Sequence, residues 1–163
     1  MSTNEPLLLL AIAATALDGL LAGASLDQSI KQLPARRRIG ALAYSIYTRA
    51  ADLGTGIVWY AALGIGAALL TIVAAIVALT QSAPSNIAAP LYLAAAASLA
   101  HSFATSRAAP TMLSQRQIAA TAENEPKLKA IFDRFERWQT VRAILQAATF
   151  ALMLWALAAI ALA

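Results

Sequence analysis

The sequence has no cysteine, one histidine and few charged residues of either sign. Its 163 residues include 12 Lys and Arg and 8 Asp and Glu, and the histidine is His101. The absence of cysteine excludes disulfides, thiolate metal sites and cysteine nucleophiles. A single histidine excludes two-histidine haem ligation, and no paired metal ligands stand at a fixed spacing. Phosphate-loop, dinucleotide and nucleophile-elbow motifs are also missing. We therefore expect no metal and no cofactor.

Low charge and high apolar content indicate an integral membrane protein. Hydrophobic residues make up 60% of the chain and charged residues 12%, whereas soluble domains carry about 25% charged residues. The length favours a single domain over residues 1–163. A net charge of +4 would suit nucleic acid, but the placement of the basic residues explains it better. We expect membrane lipid, and no nucleic acid, as a partner.

Four apolar runs reach the length that a transmembrane helix needs. Ala and Gly recur at close spacing in all of them, which is typical of helices that pack on one another. We therefore predict an all-α fold, an integral membrane four-helix bundle whose helices extend into the cytoplasm. The leader before the first run has no Lys or Arg, which disfavours a cleaved signal peptide. The predicted spans are residues 7–25, 54–79, 87–104 and 143–162.

All twelve basic residues lie in two long polar connections, 27–52 and 107–142. Basic connections stay in the cytoplasm, so we predict a multi-pass protein of the inner (cell) membrane with both termini outside the cytoplasm. The arginines at 36–38 mark this topology and are expected to contact anionic lipid. Pro126 suits the first turn of a helix that continues into the last span. Pro110 is expected to kink or stop the helix that prolongs the third span. Residues 39–52 are expected to form a helix that continues into the second span.

Asp18 is a carboxylate inside the first apolar run. A charged side chain near the bilayer centre costs about 2.5–3.5 kcal/mol on insertion scales, so Asp18 needs a partner. It forms either a structural ion pair with Arg142 or Arg49, or part of a functional site, and both interpretations remain open. Gly19 and Gly23 follow in a G-x-x-x-G step, which predicts the close approach of another backbone.

Polar side chains on all four predicted helices share one depth, in the cytoplasmic half. This predicts a polar cavity that opens to the cytoplasm or its leaflet. Plainer alternatives are a surface ion pair for Arg49 and Asp52 and a carbonyl partner for the histidine. Another is an aromatic belt of Trp59, Tyr60 and Trp138. The candidate ligand-binding residues are Arg49, Asp52, Trp59, Trp138 and Gln146, and the candidate catalytic residues are His101, Asp18 and Arg142.

Four segments carry a resemblance to a known family. They are DGLLAGAS in the first run, the basic connection containing Pro34, SRAAPTMLSQRQ after the third run, and RFERWQTVRAILQAATFALMLWAL in the fourth. Through them most of the chain resembles the small four-helix membrane family called DUF1772, or anthrone-oxygenase-like. Pro110 is followed here by Thr111, where an Asn is common in that family.

The resemblance implies an O₂-using reaction, an oxygenation of a flat phenolic substrate without a cofactor. In such chemistry a base removes an acidic proton and a cation stabilises the resulting anion before O₂ adds. From residue chemistry we assign His101 as the base, Asp18 as the group that orients it and Arg142 as the anion partner.

Two classes of function remain open from the sequence. The first is a cavity that binds a small hydrophobic molecule, aromatic or quinone-like, with monooxygenase activity as its enzymatic form. The second is a non-enzymatic accessory or scaffold subunit of a larger membrane complex, packing through its Ala and Gly faces. Homo-oligomerisation is compatible with either class.

Overall fold

The computed structural model describes residues 5–163, and almost all of them are helical. Short π-helical turns, Gln28–Gln32 and Ala51–Thr55, join the first three α-helical segments. Residues 1–4, part of the leader that lacks basic residues, lie outside the described residues. The α-helical segments are α1 (Glu5–Asp27), α2 (Leu33–Ala50), α3 (Gly56–Thr80), α4 (Ser85–Ser114) and α5 (Glu125–Ala161).

The predicted count of four spanning helices is wrong. Within residues 5–163, three helices are long and apolar enough to cross a membrane, and they contain 76, 33 and 40 residues. The reason is that the connection 27–52, predicted to be helical only over residues 39–52, is helical throughout and merges the first two spans into one stretch. The three helical stretches are Glu5–Thr80, Ser85–Gln117 and Ala122–Ala161.

The long first stretch folds back on itself at two glycines. At Gly40 the backbone has φ 84° and ψ 162°, a combination that essentially only glycine adopts. At Gly54 it leaves the helical region again, with φ −82° and ψ −121°. As a result α3 packs antiparallel beside α1, and Leu7 near the start of α1 shares an apolar cluster with Ala78 near the end of α3.

Two apolar clusters hold the segments together. The first contains Leu7 and Ile160, so the two ends of the described chain lie at the same end of the molecule. Much of this cluster is alanine, and small side chains allow close approach of helices. The second cluster joins α2, α4 and α5, and in it the rings of Tyr44 and Phe132 meet edge to face at 4.9 Å.

A buried arginine fastens α2 to α5 beside the second cluster. The Nη2 atom of Arg36 lies 2.8 Å from Asp133 and 2.7 Å from Glu136. The Arg36 guanidinium also lies 5.9 Å from the centre of the Phe132 ring. Arg36, which the sequence assigned to lipid contact, is buried because it serves this inter-helix ion pair. Its neighbour Arg37 bonds Glu136 from the exposed side.

Two prolines were expected to mark helix boundaries in the C-terminal half, and they behave differently in the structure. Pro126 lies in the first turn of α5, as predicted. From there α5 runs without a break into the last apolar run. Pro110 does not stop α4, which continues to Ser114. Extensive packing of α4 on α5 compensates for the backbone hydrogen bond that a proline removes.

Replacing Gly40 by Ala is expected to lower the free energy of unfolding by about 1–3 kcal/mol, because a Cβ atom is strained at this backbone conformation. The measurement is reversible chemical unfolding in mixed micelles. Gly64→Ala is the matched control, because Gly64 is helical with open space around it. That control should be neutral or stabilising by up to about 1 kcal/mol. Equal effects of the two substitutions would contradict the assigned role of Gly40.

Candidate functional site

Asp18 finds its hydrogen-bond partner on α3. The Thr71 hydroxyl donates to the Asp18 carboxylate at 2.8 Å, and both side chains are buried. The partner is thus a hydroxyl, neither Arg49 nor Arg142. α1 places Asp18 on its inner face, together with Ala11, Ala14 and other buried residues. The pair joins α1 to α3 within the apolar part of the protein.

The two glycines that follow Asp18 have different surroundings from those predicted. A Cβ atom added at Gly19 would lie 2.9 Å from the Phe150 ring, and one added at Gly23 would meet nothing within 4 Å. Gly19 therefore makes room for an aromatic side chain of α5 rather than for a neighbouring backbone. The prediction of a close backbone approach at this step is wrong.

A line of three polar side chains crosses from α5 to the turn before α3. Arg142 donates from Nη2 to the Gln28 side-chain oxygen at 3.2 Å. Gln28 in turn donates from Nε2 to the Asp52 carboxylate at 3.3 Å. The amide thereby separates a cation from an anion and is hydrogen-bonded to both. The Nε atom of Arg142 is buried without a hydrogen-bond partner among residues 5–163.

These three side chains line a cavity of about 100 Å³, named here the Arg142 cavity. It is partly open to the surface. Its remaining lining side chains are apolar apart from Tyr60, which carries a hydroxyl, and they come from the turn before α3 and from α3, α4 and α5. The lining residues are Gln28, Asp52, Leu53, Ile57, Tyr60, Ala109, Met112, Leu113, Phe135 and Arg142.

Arg49 lies away from this cavity and holds the end of α4. Its Nη2 atom donates to the backbone carbonyls of Gln115 and Ile118, and its Nε atom to the Ser45 hydroxyl at 3.2 Å. The last carbonyls of a helix have no partner within the helix, so Arg49 satisfies these groups. It forms no ion pair with Asp52, which bonds Gln28 instead.

His101 is buried in α4 and belongs to a separate hydrogen-bonding group. Its Nε2 atom lies 3.3 Å from the Ser98 hydroxyl oxygen, and its Nδ1 atom has no partner in the described part of the chain. It does not line the Arg142 cavity. The three predicted catalytic residues, His101, Asp18 and Arg142, thus have three different hydrogen-bond partners.

The remaining predicted residues have varied surroundings. Trp59 is 70% exposed on the outside of α3. It lines a shallow surface pocket to which Asp52 and Tyr60 also contribute. Trp138 is half-buried, and its ring meets Phe103 edge to face at 6.3 Å. Gln146 is buried, and its side-chain oxygen has no partner within the range 5–163.

Sequence reasoning missed Gln28 and Thr71, and it assigned Tyr60 to an aromatic belt instead of to the cavity. Gln28 stands ten residues after Asp18, on the same helical face as Asp18 and Ser25, so the signal was present. The predicted span ended before Gln28, and its place in the site was therefore overlooked. Thr71 is an isolated hydroxyl in an apolar run, and nothing in its spacing relates it to Asp18.

No family model, curated protein or solved structure matches the chain. Among the residues that the structure describes, no three or more His, Asp and Glu side chains come together as a metal site requires. The candidate site therefore has to be judged on its own geometry, and its most distinctive feature is the polar line at one side of an apolar cavity.

Thr71→Val is expected to destabilise the protein by about 1–3 kcal/mol, because it leaves the buried Asp18 carboxylate without a donor. The measurement is unfolding in mixed micelles. The matched control is Thr15→Val, since the buried Thr15 hydroxyl donates only to the Ala11 carbonyl of its own helix and its loss should cost at most about 0.5 kcal/mol. Adding Asp18→Leu to the Thr71→Val chain should recover stability, because removing both partners is nearly neutral. Equal effects of the two valine substitutions would refute the pairing.

Proposed function

We propose that this is a membrane protein whose Arg142 cavity binds a small hydrophobic molecule of the quinol or phenol class. Such a molecule has one ring that carries a hydrogen-bonding oxygen. The observation that carries the proposal is a guanidinium with a free buried donor at one side of an apolar cavity. The Nε atom of Arg142 has no protein partner within residues 5–163. A buried donor without a partner costs about 1–3 kcal/mol, and a modest shift of the Arg142 side chain toward the cavity would let a ligand oxygen accept from it.

The two sides of the cavity suit the two parts of such a ligand. Arg142 and Gln28 can donate to a ring oxygen, and Asp52 can accept from a ring hydroxyl. Leu53, Met112 and the other apolar lining side chains would contact the ring faces. A few polar groups that fix orientation in a mostly apolar pocket are typical of small-molecule sites.

The volume of the cavity limits the size of the ligand. At about 100 Å³ it is nearer to the ~150 Å³ cavity that accepts benzene than to the roughly 300–1,000 Å³ of drug-sized sites. One ring is therefore the upper limit for this space, with any tail leaving through its opening. A tricyclic anthrone would require the walls to move apart.

The enzymatic form of the proposal is the oxygenation that the anthrone-oxygenase-like resemblance implies. Arg142 would then stabilise a phenolate beside O₂. His101 stays the proposed base, and an opening of the walls would be needed to bring substrate to it. Asp18 bonds Thr71 and not His101, so its predicted role in orienting His101 is not carried forward. That this protein is related to the anthrone-oxygenase-like family is likewise a proposal, and it is based on the four sequence segments quoted above.

The same proposal includes a place in the cell membrane. The long helices expose large apolar side chains such as Leu9, Leu69 and Leu154, which soluble proteins rarely do over so extended a surface. Leu7 and Ile160 lie at one end, whereas the ion pairs of Arg36 lie at the other. We therefore propose that the basic end faces the cytoplasm and that both termini lie outside it.

Ala109→Leu is expected to abolish binding of the probe 1,4-hydroquinone, because the added carbons enter the Arg142 cavity. Ala100→Leu is the matched control, an exposed position on the same helix, and should bind like the unaltered protein. Arg142→Gln should weaken binding roughly tenfold or more through loss of a charged donor. Calorimetric titration in detergent measures the affinity for hydroquinone of the unaltered protein and the three variants. Identical binding by the two leucine variants, or no binding by the unaltered protein, would refute the proposal.

The proposed topology can be tested by labelling, because the chain contains no cysteine of its own. Single cysteines at Gln81 and Ala163 should react with a membrane-impermeant maleimide on intact cells. A cysteine at Gln117, at the basic end, should react only after permeabilisation. Labelling of the cysteine at residue 117 on intact cells would overturn the orientation.

A further inference from the structure

A groove of about 500 Å³ lies between the C-terminal part of α4 and the first turns of α5. It shares no lining residue with the Arg142 cavity. Two arginines, Arg107 and Arg134, line it, and no carboxylate does. We propose that this groove binds the phosphate of an anionic membrane lipid, with one acyl chain extending along α4.

The two arginines of this groove are available to a ligand. Neither has a carboxylate within 4 Å in the range 5–163, whereas Arg36 and Arg37 are both paired. Both are exposed. A guanidinium presents two parallel N–H groups that match two phosphate oxygens, so two of them facing one groove can hold one phosphate group.

The hydroxyls of the groove are already used as donors. Ser106 donates to the Phe103 carbonyl, Thr111 to the Arg107 carbonyl and Ser114 to the Thr111 carbonyl, all within α4. The arginines therefore supply the donors for the phosphate. Substituting both of them should remove the polar contacts of the groove with the phosphate.

Aromatic and apolar side chains continue the groove toward the apolar half of the molecule. The Arg107 guanidinium lies 5.1 Å from the centre of the Phe103 ring, and Phe103 is in contact with Trp138. Leu99, Phe103 and Arg107 follow one another at four-residue intervals on one face of α4. Leu99 and Phe103 are 60% and 56% exposed. Aromatic rings favour the headgroup level of a bilayer, which is where a lipid phosphate lies.

The charge of the groove favours an anionic lipid over a zwitterionic one. A choline or ethanolamine group would bring a positive charge beside two arginines, and the groove has no carboxylate to compensate it. Free phosphate would make the same contacts with the arginines but none with the apolar face of Leu99 and Phe103. The inference rests on the proposed membrane location, but not on the ligand of the Arg142 cavity.

The experiment is native mass spectrometry of the full chain in detergent with added phosphatidylglycerol. Arg107→Gln with Arg134→Gln should weaken retention of this lipid roughly tenfold. Arg38→Gln with Arg137→Gln is the matched control, because it removes the same charge from exposed residues outside the groove and should leave retention within about twofold.

Two comparisons separate the lipid from other sources of the same chemistry. Phosphatidylcholine with the same acyl chains should be retained roughly tenfold less well by the unaltered protein, and inorganic phosphate should not displace phosphatidylglycerol at equal concentration. Equal losses in the two double variants would show diffuse charge attraction and overturn the proposal. Equal retention of the two lipids, or displacement by inorganic phosphate, would overturn it as well. None of these results bears on hydroquinone binding.

Discussion

A polar side chain buried between long apolar helices has to find its partner on a neighbouring helix, because neither lipid nor the apolar core supplies one. Asp18 receives its donor from Thr71. Arg142 reaches Asp52 through Gln28. These bonds connect α1 with α3 and α5 with the turn before α3, and they set which helical faces meet.

The cavity is a consequence of the same constraint. Gln28 lies in a π-helical turn after α1, and Asp52 in a second such turn before α3. Such turns often occur at functional sites in helices. Here they bring an amide and a carboxylate together beside Arg142, with apolar side chains closing the other walls. A polar line of this kind orients a ligand, while the apolar walls supply contact area.

Several features could be predicted from the sequence because they depend on local pattern. The helical character, the apolar runs and Pro126 at the start of α5 follow from composition and spacing. The number of continuous helices did not follow, since the polar residues before 39 are helical as well and join the predicted helix over 39–52 to the first span. The change of chain direction depends on the backbone of Gly40. The burial of Arg36 and the role of Arg49 at the end of α4 also depend on contacts with residues distant in the chain.

The candidate site also contains features that could be predicted from the sequence and features that could not. Arg142 and Asp52 were identified as polar residues at one depth, and the structure connects them, but through Gln28, which lies outside the predicted span. Asp18 and His101 were placed beside them by helical counting alone. Helical counting gives the face and depth of a residue, but not the rotation of one helix against another. That rotation directs Asp18 to Thr71 and His101 to Ser98.

By itself, the amino-acid sequence determined that this protein is helical and apolar and that its buried charges need partners, because these properties follow from residue type and period. Only the tertiary structure decided which partners meet, how many continuous helical stretches form and where a cavity remains. The physical reason is that those outcomes depend on packing between residues far apart in the chain, where one glycine backbone angle or one aromatic ring changes which faces come together.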